Sequence, residues 1–66
     1  MRGEIWKIPV NEDGIGWIER RLLVLDLYEA LPYNNSYIAA RCLILDTGEQ
    51  YNIYADLLQY GGERVE

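Results

Sequence analysis

Residues 37–54 read Tyr37-Ile38-Ala39-Ala40-Arg41-Cys42-Leu43-Ile44-Leu45, then Asp46-Thr47-Gly48-Glu49, then Gln50-Tyr51-Asn52-Ile53-Tyr54. Two runs rich in β-branched and aromatic residues, separated by a few turn-forming residues that include one glycine, predict a β-hairpin. In the first run Ile38, Ala40, Cys42 and Ile44 share one face, and Tyr37, Ala39, Arg41, Leu43 and Leu45 share the other. Arg41 sets the first group inward. Leu43 and Leu45 are then apolar on the outer side, which implies either a bulge that switches faces, as small barrels require, or a surface that another molecule covers. In the returning run Tyr51 and Ile53 oppose Asn52 and Tyr54.

Upstream, residues 20–29 (Arg-Arg-Leu-Leu-Val-Leu-Asp-Leu-Tyr-Glu) read as a strand with Leu23, Leu25 and Leu27 on one face. Asp26 marks the alternate face, with Leu22, Val24 and Tyr28, as the wetter one. Residues 3–10 form a shorter strand in which Trp6 and Ile8 alternate with Ile5 and Lys7; Pro9 cannot donate to a ladder, so the strand ends there or lies at an edge. Between them an acidic, glycine-punctuated loop carries Trp17 and Ile18. Residues 30–36 are a turn-rich connection. Downstream, residues 55–60 are too short for a stable helix and suit one turn of 3₁₀ helix sealing the core with Leu57 or Leu58. Gly61-Gly62 reverses the chain, and Glu63-Arg64-Val65 adds a last short strand.

These elements give an all-β fold of four to five antiparallel strands with one 3₁₀ turn before the last strand. The order resembles the small SH3-like barrel, whose closure removes exposed sheet edges. The expected core is Leu23, Leu25, Ile38, Ala40, Cys42, Ile44 and Ile53.

At 66 residues the chain is one domain, residues 1–66, and buries only about 60% of the surface of its unfolded form. Half its residues are apolar and 26% are charged, which is too hydrophobic for a disordered segment. Six Lys and Arg against eleven Asp and Glu give a net charge of −5. That balance opposes direct contact with nucleic acid or anionic membranes and favours a partner with a basic surface. One cysteine, Cys42, and no histidine leave no internal disulfide and remove the usual acid–base and metal residue. No apolar run reaches the roughly 20 residues of a membrane span, and no secretory leader is legible, so a soluble, cytoplasmic protein is expected. Asn34-Asn35-Ser36 fits a glycosylation acceptor but also ordinary loop composition.

Arg2-Gly3-Glu4-Ile5-Trp6, a loop, and Arg20-Arg21-Leu22-Leu23-Val24-Leu25-Asp26 resemble the opening of the MazF/PemK family of SH3-like toxins. That family reads R-G-(D/E)-(I/V)-W, a glycine-containing loop, then R-P and an apolar strand. The resemblance covers about the first 26 residues and implies a dimeric endoribonuclease in which Arg20 takes the place of the family's arginine and Thr47 that of its hydroxyl. Arg21 stands where the family has proline, so the implied enzyme is a degenerate or truncated one.

The carboxylates Glu12, Asp13, Asp26, Glu29, Asp46, Glu49 and Asp56 show no calcium-loop spacing, and Asp46-Thr47-Gly48 is turn chemistry. No cofactor or metal is expected, and Cys42, on the inward face, reads as a small inert hydrophobe. Trp6, Trp17 and six tyrosines are a heavy aromatic load, and tyrosine and tryptophan serve interfaces well. The expected function is therefore a non-catalytic interaction module that binds a basic protein partner, as a phage-type inhibitor or accessory factor, or associates with itself. Trp17, Tyr33, Leu43 and Leu45 are its expected contacts, with Glu12, Asp13 and Glu19 as an acidic rim. The alternatives are the toxin-like ribonuclease and an acidic mimic of nucleic acid.

Overall fold

The computed structural model describes residues 1–30 and 37–66. Its strands are β1 (Ile5–Glu12), β2 (Gly16–Ala30), β3 (Tyr37–Ile44), β4 (Gln50–Tyr54) and β5 (Glu63–Arg64), with helix α1 (Ala55–Gly61) before the last. They form one five-stranded antiparallel sheet in the order β4-β3-β2-β1-β5. The all-β fold, the hairpin of β3 and β4 and the short final strand are as the sequence predicts. Closure is not: β4 and β5 stand at opposite ends of the order, so the sheet is open where a barrel was expected.

The faces of β2 are the main correction. Leu22 and Val24 are buried, at 0% and 1% exposure, whereas Leu23 is half-buried and Leu25 and Leu27 are exposed. Leu22 lies opposite Ile44 and Val24 opposite Cys42, and the register then shifts, so that Asp26 faces Arg41 and Leu27 faces Ala40. The extra residue, Leu25, is a β-bulge, and a bulge breaks the simple two-residue alternation. Asp26 therefore shares the outer face with Arg41 (3.7 Å) rather than a face with Leu22 and Val24. Counting alternation straight through Asp26 inverts the strand.

The buried cluster is Ile8, Val10, Leu22, Val24, Ala40, Cys42, Ile44 and Leu58, with Trp6, Tyr51 and Ile53 packed against it. Ala40, Cys42 and Ile44 are in the core as expected. Ile53 is half-buried, and Ile38, toward the β3 start, is 51% exposed.

The acidic segment after β1 is a tight hairpin turn rather than a long loop, with Ile15 N–H donating to the Glu12 carbonyl (3.1 Å) and Gly14 at φ 79°. Trp17 and Ile18 accordingly lie on β2 itself. Pro9 sits within β1 opposite Glu19. Since the Val24 N–H donates to the Glu4 carbonyl (2.9 Å), alternation of the ladder places Pro9 at a position whose missing donor faces away from β2.

The turn before β1's last neighbour is α-helical, not 3₁₀. Helix α1 has seven residues and no side-chain N-cap, and it holds because Leu58 is completely buried in the core. Its end is fixed by Gly62, whose N–H donates to the Leu58 carbonyl (2.8 Å). A Cβ built on Gly62 meets that carbonyl oxygen at 2.6 Å and the Lys7 carbonyl at 3.3 Å. Backbone on both sides cannot rotate away, so Gly62→Ala is expected to cost about 1–3 kcal/mol in urea unfolding. An unchanged midpoint would mean that α1 is not clamped against β1 in this way.

Candidate binding surface

An apolar groove of about 930 Å³ runs between β1, β4 and α1 and reaches Tyr28 and Ala30 of β2 and Ala39 of β3. Its lining contains no charged side chain among the described residues. Ile8 and Pro9 contribute from β1, and all of Tyr51, Asn52, Ile53 and Tyr54 contribute from β4. Trp17, at the start of β2, and Leu57 and Tyr60, on α1, also line it.

Trp17 is 73% and Tyr60 94% exposed, with Leu57 at 55%. The helix explains the second pair: Ala55 and Leu58 face the core, which leaves Tyr54, Leu57 and Tyr60 as a stripe at three-residue spacing on another face. That stripe is the signal sequence reasoning missed, because residues 55–60 were expected to make a single sealing turn. Tyr54 also meets Tyr37, with ring centroids 5.4 Å apart at a tilt of 49°. On the outer face Arg41 lies over the Tyr28 ring, 5.5 Å from its centroid.

Of the expected contacts, Trp17 lines the groove and Leu43 and Leu45 do not. Leu43 is half-buried between Leu23 and Gln50, while Leu45 is 40% exposed just beyond β3, its N–H donating to the Arg21 carbonyl (2.9 Å). Tyr33 lies outside the described residues.

A second, polar hollow of about 390 Å³ is lined by Glu12, Asp13 and Glu49 together with Tyr51, which also lines the apolar groove. The two depressions therefore meet at Tyr51. Of these carboxylates Glu12 is already engaged: Arg20 donates from Nε to Oε1 (2.7 Å) and from Nη2 to Oε2 (3.0 Å). This bidentate hydrogen bond holds the Glu12 carboxyl below the ordinary glutamate range and raises Arg20. Glu19 pairs with Lys7 at 3.6 Å. Asp13 and Glu49 have no ion pair among the described residues, whereas Lys7, Arg20, Arg21, Arg41 and Arg64 each face a carboxylate.

Arg20, which the toxin resemblance singles out, is thus occupied by Glu12. Thr47, the hydroxyl it implies, accepts a hydrogen bond at Oγ1 from the Glu49 N–H (3.2 Å). Cys42 is buried, and burial pushes its thiol up to about 11, so it stays protonated and unreactive near neutrality. Among the described residues no group of three or more Asp, Glu or Cys is placed to hold a metal ion, and no helix is long and apolar enough to cross a membrane. No known protein family, curated protein or solved structure matches this chain.

Proposed function

We propose that this chain is a non-catalytic interaction module that docks a protein partner along the apolar groove. One observation carries the reading: Trp17 and Tyr60, the two most exposed aromatic side chains among the described residues, converge on the same uncharged depression. Exposing such surface without a partner is unfavourable, and interfaces concentrate their energy in a few large aromatic anchors of this kind. The net charge of −5 supports a partner of opposite sign. The strand order, with a short helix ahead of the final strand, supports reading the sheet as an opened SH3-like barrel.

A displayed library of random twelve-residue peptides provides the test. The parent chain is expected to enrich specific sequences, and Trp17→Ala and Tyr60→Ala are each expected to weaken the selected peptides by about 2 kcal/mol, roughly thirtyfold. Both residues are largely solvated, so far-UV circular dichroism and the unfolding midpoint should be unchanged. Peptides that bind both variants as they bind the parent would remove the groove from consideration.

A further inference from the structure

Resting on the groove as the docking surface, we infer that its ligand is an extended segment of a partner protein, added as a sixth strand along the free edge of β4, with a Lys or Arg reaching the Asp13–Glu49 hollow.

The lining of the groove points to an edge. Tyr51 and Ile53 lie on one face of β4, opposite Cys42 and Ala40, and Asn52 and Tyr54 lie on the other, opposite Arg41 and Ala39. All four β4 residues line the groove, together with Ala39 of β3 and Tyr28 and Ala30 of β2, so the groove wraps from a face of the sheet around the free edge of β4. On the far side, consecutive residues Ile8 and Pro9 line it in the same way, at a stretch of β1 beyond the Trp6 and Lys7 pairing with β5. The groove is the seam left by the open sheet.

The backbone of that edge is ready for a ladder. Ile44 N–H donates to the Glu49 carbonyl (2.8 Å), and the same register continues through Cys42–Tyr51 and Ala40–Ile53. Because hydrogen-bonded and non-bonded pairs alternate in an antiparallel ladder, the N–H and C=O groups of Gln50 and Asn52 point away from β3. No other backbone group among the described residues takes them up. An added strand supplies partners for these groups and places alternate side chains on the aromatic lining. Pro9, without an N–H, restricts the addition to the β4 side.

Charge chooses the occupant. A second copy of this chain, pairing antiparallel edge to edge, would bring its Asp56, next to its own β4 end, toward the Asp13–Glu49 hollow and set carboxylate against carboxylate. A foreign segment with a basic residue finds unpaired carboxylates there instead. Antiparallel addition is the slightly more stable form, and since β4 runs from Gln50 toward Tyr54, it places the basic residue near the C-terminal end of the ligand.

The peptides selected from the random library are the probe. Their consensus is expected to show apolar residues at every second position with Lys or Arg toward the C-terminus. N-methylation of the peptide amides is expected to abolish binding at alternate positions only. Asn52→Pro removes an outward donor without touching the β3–β4 ladder and is expected to weaken binding by about tenfold or more, with circular dichroism unchanged. If Trp17→Ala loses binding but the consensus has helical or Pro-rich spacing and methylation shows no alternation, the groove binds a partner but strand addition is wrong. The methylation pattern decides the matter even if Asn52→Pro fails to fold. If no peptide is enriched over the Trp17→Ala control, both the inference and the docking reading fall. A stable dimer that Asn52→Pro dissolves overturns the inference in favour of self-association.

Discussion

Leu22→Asp is expected to abolish the cooperative unfolding transition, whereas Leu25→Asp, three residues further along β2, should leave it in place. Leu22 is completely buried, with Trp6 opposite on β1 and Ile44 opposite on β3. An aspartate there loses the transfer energy of a leucine and either buries an unpaired charge or takes up a proton to avoid it, a penalty of several kcal/mol. A small domain has roughly 5 kcal/mol in total to lose. Leu25 is the bulged residue and is 36% exposed, so a carboxylate at that position reaches water and should cost about 1 kcal/mol. Urea titration followed by tryptophan fluorescence distinguishes the two. If Leu25→Asp unfolds the chain while Leu22→Asp tolerates the charge, the bulge is misplaced and the opposite face of β2 is the core.

Leu58→Ala is expected to carry the second largest effect and to reach the proposed docking groove through the fold. Leu58 is fully buried and is the large side chain by which α1 is held in the core, since Ala55, its other buried residue, offers little area. Truncation should cost about 2–5 kcal/mol. A helix of seven residues has little stability of its own, so it should detach before the sheet melts. Leu57 and Tyr60 go with it, and selected peptides should bind more weakly than they bind Tyr60→Ala, which leaves α1 docked. Hydrogen exchange that accelerates in residues 55–61 ahead of β2 and β3 would check the order of events. Equal loss of protection throughout would show that α1 and the sheet unfold as one unit.

The surface follows the same division between what pattern encodes and what packing decides. The exposure of Trp17 was legible because an aromatic residue flanked by glycines and charges has no obvious place in a core. Tyr54, Leu57 and Tyr60 were not, because their convergence depends on α1 forming at all, and short-range propensity does not favour it. Of the expected rim of Glu12, Asp13 and Glu19, Asp13 has no ion pair among the described residues, while Glu12 and Glu19 are taken by Arg20 and Lys7, pairings that require the β1–β2 register to bring them together. Glu49, beside Asp13 in the polar hollow, was not expected there.

The sequence by itself determined the all-β class, the β3–β4 hairpin and the inward set Ala40, Cys42 and Ile44, because alternation holds from Ala40 to Ile44 and Arg41 fixes its sense; at the start of β3 it fails, with Ile38 exposed and Ala39 buried. It could not place Leu22 and Val24 in the core. The bulge at Leu25 changes the phase of β2, and nothing in the local run of leucines marks where the extra residue falls. The bulge, the open seam between β4 and β1 and the anchoring of α1 by Leu58 are all tertiary decisions. Each depends on which residues of distant strands come to lie opposite one another, and the energy of that pairing outweighs the local preferences of the segments involved.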